Sequence, residues 1–179
     1  MKTKLFCFLA FLFVFAGCDK IKDLATVPIS TELTIDIPVV VLAQGKKSID
    51  QVGVVNSIVF TKTQDLTLAS NVDIEPYIAK IKEIGLNSLV VTITGLVEGQ
   101  TINSVSLDVA GVGNIFTQTN ITMSNNIFTP VIEAATFDNV AAKLTADKKI
   151  TLTVSGSASG AMSFTVGLNF DTIVTAYLL

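Results

Sequence analysis

The sequence predicts an all-β protein: an antiparallel β-sandwich of immunoglobulin-like type, with about seven to nine strands and two short peripheral helices. Three observations carry this expectation. Apolar and polar residues alternate with period two over most of the chain after residue 30. Threonine occurs 21 times, mostly between apolar residues, which is the composition of strands with one wet face. Gly, Asn and Ser clusters separate the alternating runs, as turns do in an all-β domain. A partly open β-barrel is the alternative closure of the same strands.

The elements follow in order. Leu33, Ile35, Ile37 and Val39 oppose Thr34 and Asp36, a half-buried strand, and Pro38 assigns its end to an edge or bulge. Residues 43–51 form a polar connection. Val52 to Phe60 is apolar and β-branched, and Thr61 to Leu68 continues with alternating Thr and Leu. Asp73 to Gly85 breaks the rhythm: Ile74, Tyr77 or Ile78, Ile81 and Ile84 fall three or four apart. That spacing predicts a helix with Asp73 as its cap, Pro76 in its first turn and Gly85 at its left-handed stop. Leu89, Val91 and Ile93 begin the next strand, and Val97-Glu98-Gly99-Gln100 joins it to Ile102–Val109 as an antiparallel hairpin.

Ile115–Met123 and Asn126–Ile132 are shorter strand candidates. Asp138–Asp147 reads as the second helix, with Val140, Ala141 and Leu144 on one face. Ile150, Leu152 and Val154 then alternate, and "GSASG" turns the chain. Met162, Phe164, Val166, Leu168 and Phe170 make the clearest strand. Val174, Ala176 and Leu178 keep its parity beyond a kink at Asp171.

The N-terminus carries an address. Met1-Lys2-Thr3-Lys4 is basic, and Leu5 to Ala16 is apolar without a break. As a helix that run spans about 18 Å, against a hydrocarbon core of about 30 Å, so it suits a secretory leader rather than a membrane span. Phe15-Ala16-Gly17-Cys18 resembles the lipobox of bacterial lipoproteins. The resemblance implies a signal peptide over 1–17, cleavage before Cys18 and a lipid on its thiol. It also implies acylation (palmitate or its like) of the new amine. The chain then divides into the leader, a lipidated tether over 18–30 and one sandwich domain over 31–179. One acyl chain holds a protein only marginally, and two or three hold it in effect permanently. The expected location is the bacterial cell envelope, at the outer membrane, with the periplasmic or surface face open.

Composition removes several functions. There is no Arg and no basic stripe, which argues against nucleic-acid partners. Residues 18–179 keep ten lysines against fifteen acids, a net side-chain charge of −5. His is absent, and Cys18 is the sole Cys beyond the leader. Ser-His-Asp and Cys-His catalysis, His- or Cys-based metal sites and an internal disulfide all go with them. No cofactor is expected. Paired carboxylates remain the one route to hydrolysis. Asp108 and Asp171 are the acids in apolar context, and both alternate outward.

The remaining motifs favour bland readings. "GSASG", 156–160, has the glycine spacing of a nucleophile elbow, but Ala158 is its centre. "AGVGN", 110–114, suits a strand-ending turn better than a phosphate loop. Asn71, Asp73 and Glu75 alternate as calcium-loop ligands do, without the EF-hand pattern. Asp147-Lys148-Lys149 is a solvated turn. Asn120-Ile121-Thr122 fits a glycosylation sequon that a bacterial context leaves idle. Asp171-Thr172-Ile173 resembles the Asp-Thr-aliphatic acceptor of periplasmic O-glycosylation, which implies a sugar on Thr172.

The expected role is non-catalytic: binding or structural, in contact with another envelope protein or a polymer. A lipid or hydrophobic-ligand carrier with a cavity in the β domain is the second expectation. A polysaccharide hydrolase is the third.

Overall fold

Period-two alternation becomes eight strands in the computed structural model, which describes residues 25–43 and 57–178. In chain order they are β1 (Thr26–Val41), β2 (Ile58–Thr67), β3 (Ile81–Thr94), β4 (Ile102–Val109), β5 (Gly113–Ile121), β6 (Ile127–Phe128), β7 (Lys149–Ala158) and β8 (Met162–Tyr177). Among the described residues one α-helix, α1 (Ala134–Asp147), precedes β7, and 3₁₀ turns cover Leu68–Ser70 and Glu75–Lys80. Cys18 and most of the 43–51 connection lie outside the described residues, as does the first part of the strand expected from Val52.

The strands form two four-stranded sheets, in the orders β1-β8-β3-β6 and β2-β7-β4-β5. Every strand pairing is antiparallel. The fold is therefore the all-β sandwich that the alternation predicts. First pairs with eighth, second with seventh, third with sixth and fourth with fifth. That is a long hairpin rolled up, the jelly-roll order of two Greek keys, and it replaces the expected immunoglobulin-like arrangement. The expected hairpin across Val97–Gln100 is corrected by the same order. β3 and β4 belong to different sheets, so residues 95–101 cross between layers.

β8 organises the core. Its even-numbered side chains from Met162 to Ala176 are all buried. They mesh with Leu33, Ile37, Val39 and Val41 of β1 and, across the sandwich, with Leu107, Leu152 and Val154. Phe60 of β2 meets Phe164 of β8 edge-on at 5.3 Å between centroids, tying the sheets together. The expected kink at Asp171 is absent from this strand, whose pairing with β1 runs unbroken from Thr26↔Tyr177 to Val41↔Met162. β1 thus starts at Thr26, within the stretch read as tether.

The helix expected over Asp73–Gly85 is corrected. A 3₁₀ turn occupies Glu75–Lys80, and β3 begins at Ile81. The cause is a pair of bulges. Ile81 pairs with Ala176 but Glu83 with Thr175, so Lys82 is extra and Ile81 and Ile84 share a face. Leu86 pairs with Thr172 but Ser88 with Asp171, so Asn87 is extra too. The second bulge shifts the buried parity from Ile84 to Leu89, Val91 and Ile93. The broken rhythm imitates helical spacing. The capping role expected of Asp73 belongs to Asn71. Its Oδ1 accepts from the N–H groups of Asp73 and Ile74 at 3.0 and 3.2 Å. Its Nδ2 donates to Thr31 Oγ1 and to the Glu32 carbonyl, at 3.2 and 2.9 Å. Asn71 thus pins the turn to the free edge of β1. Asn71→Ala is expected to lower stability by about 2 kcal/mol, the loss of several partly buried hydrogen bonds, read as a shift in the urea unfolding midpoint.

β1 is the edge of its sheet, as Pro38 predicted. Pro28 and Pro38 share parity with Glu32, whose carbonyl faces outward to Asn71. Both missing N–H groups therefore lie on the open side, where no ladder bond is lost. The second expected helix is present and starts earlier, at Ala134, with Val140, Ala141 and Leu144 buried. It packs on β3 and β7, one strand from each sheet. Lys148 ends it in the left-handed conformation, and Lys143 pairs with Asp147 at 2.9 Å.

Candidate functional site

The strand registers give the sandwich two unlike ends. At one, Leu178 donates its N–H to the Ala25 carbonyl, so the chain enters and leaves together. The turns at Leu68–Lys80 and Ala110–Val112 and the close of α1 lie at this end. So do Asp65, Asp73, Glu75, Lys80, Lys82, Glu83, Asp147, Lys148 and Lys149. At the other end β1 stops at Val41, opposite Met162, and β2 starts at Ile58, opposite Ala158. The crossings at 95–101 and 122–126 and the turn at 159–161 close it.

Among the described residues this second end carries one charge, Glu98, and five exposed apolar side chains: Val40, Leu42, Val59, Val97 and Met123. A shallow open cleft of about 230 Å³ lies between the two crossings. Val97 and Met123, 58% and 57% exposed, are its apolar walls, and Glu98, Gln100, Thr101 and Ser124 supply polar groups. Gln100 Oε1 accepts from the Val97 N–H at 3.2 Å and holds the first crossing closed. On the second, Asn125 Oδ1 accepts from the Thr122 hydroxyl at 3.0 Å and from the Thr122 N–H. Both walls are thus set by short side-chain-to-backbone bonds. The cleft offers a preformed, nearly uncharged contact site.

The residues singled out by sequence fall in several places. Cys18 is outside the described residues. Thr172 is 0% exposed, and its hydroxyl donates to the Phe170 carbonyl at 3.0 Å. It belongs to the buried row of β8, so the folded protein withholds it from a glycosyl transferase, and the expectation of a sugar there is withdrawn. Asp108 and Asp171 face outward from opposite sheets, so the sandwich separates them. Asp171 instead stands opposite Glu32 on an open sheet face. That like-charge contact is moderated by Asn87 Nδ2 on Asp171 at 3.1 Å and Asn169 Nδ2 on Glu32 at 2.9 Å.

"AGVGN" is the tight turn between β4 and β5, with Gly111 and Gly113 at φ 81° and 105°. "GSASG" closes β7 and turns into β8. Asn120 of the sequon is exposed and left-handed, at φ 55°. Among the described residues no three His, Cys, Asp or Glu side chains gather as a metal site, and no helix is long and apolar enough to cross a membrane.

The polarity of the two ends is not visible in the alternation. Alternation reports which face a residue takes, and the ends emerge only when the registers are known. One signal was present: no charged residue lies between Glu83 and Glu98, or between Asp108 and Glu133.

These features define a jelly-roll sandwich in which, among the described residues, the end where the chain enters is rich in charge and the other exposes apolar side chains and one carboxylate. No family model matches the chain, and no curated protein matches it. Among solved structures it is similar to one titled Desmodium yellow mottle tymovirus, at 12% identity and a TM-score of 0.28, over 84% of this chain and 90% of that one. A likeness of that size carries no argument.

Proposed function

We propose that the protein is a lipid-anchored module of a bacterial cell envelope, held by Cys18, with a non-catalytic binding or structural role. The anchor rests on the lipobox-like Phe15-Ala16-Gly17-Cys18 and the apolar leader before it. The observation that carries the binding role is the polarity of the domain. The end remote from Ala25 holds the exposed Val97 and Met123 cleft and, among the described residues, a single charge. A module tethered at one end meets its partner most freely at the other. The rigid sandwich supplies the scaffold, and its crossings supply the contact. The partner is another envelope protein or a polymer, to which the cleft offers apolar walls, neutral polar groups and the Glu98 carboxylate.

Cys18→Ser tests the anchor. The expected result is an unprocessed precursor that incorporates no radiolabelled palmitate, while the unchanged chain is shortened and labelled. Equal processing and membrane retention of the two chains would sink the reading. The contact is tested in intact cells with a photo-crosslinking residue at Val97, and the same residue at Lys149 as control. Adducts with an envelope component are expected from the first position only.

A further inference from the structure

Two four-stranded sheets have four outer strands, and three of them are blunted. β1 carries Pro28, Pro38, Glu32 and Asp36; β2 carries Lys62 and Asp65; β6 is two residues long and followed by Pro130. Such features discourage a further strand from adding to an edge. β5, Gly113-Asn114-Ile115-Phe116-Thr117-Gln118-Thr119-Asn120-Ile121, has no proline and no charge. Its backbone direction follows from its neighbours. The Ala110 N–H donates to the Thr151 carbonyl on β7, and the Leu107 carbonyl, on the β5 side, accepts from the Asn114 side-chain Nδ2 at 3.4 Å. Odd-numbered residues of β4 therefore bond to β5, through the pairs Val105↔Gln118 and Leu107↔Phe116. The N–H and C=O groups of Thr117 and Thr119 then point away from the sheet. Among the described residues β5 pairs with β4 alone, so these groups have no ladder partner.

An unpaired row of this kind accepts one kind of occupant, another extended backbone. The sequence identifies which. Around Gln118 the strand is almost a palindrome: Thr117 mirrors Thr119 and Ile115 mirrors Ile121. Laid antiparallel on itself, it sets Thr117 against the partner subunit's Thr119, and Gln118 on the two-fold axis. Threonine pairs of this kind are favourable across strands, and a two-fold contact needs a self-complementary surface.

The surroundings agree. β5 and β6 lie on the same side, where Phe116 and Phe128 touch edge-on at 5.8 Å. The segment following β5 exposes Met123, Ile127 and Val131. No charge lies between Asp108 and Glu133, so the facing segments bring no like charges against each other.

We infer that two copies of this chain pair through the free edges of β5, antiparallel about Gln118, joining their sheets into one continuous eight-stranded sheet. Edge pairing alone buries less than the roughly 1,000 Å² of a durable interface, so the association is weak and reversible. The inference goes beyond the proposed function and does not need the anchor. For two copies anchored in one leaflet, antiparallel pairing sends their entry ends in opposite directions and lays the strands along the bilayer.

The test uses the chain from residue 18 with Cys18→Ser, so that lipid and thiol play no part. Sedimentation across a concentration series is expected to show a monomer–dimer equilibrium. Adding Thr117→Lys and Thr119→Lys sets lysine against lysine across the axis, and is expected to weaken dimerisation at least about tenfold. Thr117→Lys with Thr119→Glu sets each lysine against a carboxylate and is expected to restore it. Both positions are exposed, and unchanged circular dichroism verifies folding. Gln118→Cys is expected to give an oxidised dimer far faster than Thr61→Cys on β2. A monomer at every concentration overturns the proposal. So does a dimer indifferent to the lysines, a lysine effect that glutamate does not rescue, or equal crosslinking at both cysteines.

Discussion

Gly156→Ala is expected to destabilise the protein by about 3 kcal/mol, the upper end of what overpacking a filled core brings. Gly156 lies in β7, flanked by Phe60 of β2 and Val105 of β4. A side chain there would overlap the Ser104 carbonyl oxygen and stand 2.8 Å from both the Ser104 carbonyl carbon and Phe60 Cζ. The crowding has a structural origin. The β4–β7 register shifts between Ile102 and Ser104, and this bulge brings β4 backbone onto the place where a Cβ would sit. Neither backbone nor the Phe60 ring can yield freely, because Phe60 is held against Phe164. At Gly160, four residues on, an added methyl would meet nothing within 4 Å. Gly160→Ala is therefore the control, expected within about 0.5 kcal/mol of the parent. Urea unfolding midpoints of the three chains decide it. Equal midpoints for Gly156→Ala and the parent would show that the β4 bulge is not where the register puts it.

Phe170→Ala is expected to lose about 4 kcal/mol, through the transfer term and the cavity together. Phe170 sits midway along β8, between Leu33 of β1 and Leu89 of β3, all three buried. β8 pairs along nearly its full length with β1 on one side and β3 on the other. The void would therefore open beneath the strand that holds the first sheet together, where neither neighbour can collapse into it. Phe170→Leu retains most of the volume and is expected to lose about 1 kcal/mol. Calorimetric melting of both variants separates a specifically packed site from a merely apolar one. Similar losses for Leu and Ala would argue against tight packing at this position.

How much is legible in the sequence depends on regularity. β8 is readable because its inward row, Met162 to Ala176, meets no bulge, and period two survives along the whole strand. The same row already implies that Thr172 is buried, since it shares parity with Phe170 and Val174. A short acceptor motif points the other way, and the parity is the better guide. β3 imitates a helix because the extra Lys82 sets Ile81 and Ile84 on one face three residues apart, and the extra Asn87 shifts the inward row again. A bulge is a relation between two strands, and one strand's sequence does not declare it. The turn before β3 leaves a usable sign: an Asn two and three residues ahead of the N–H groups it accepts from.

Alternation and threonine content determined on their own that this is a two-faced β protein, because each is a local property of consecutive residues. Only the tertiary structure decided which strands are neighbours. The jelly-roll order, the crossing of 95–101 between layers and the unblocked edge of β5 all follow from pairings between residues far apart in the chain. Side-chain periodicity tells a strand which way to face. Backbone hydrogen bonds, which carry almost no record in the side chains, tell it whom to lie beside.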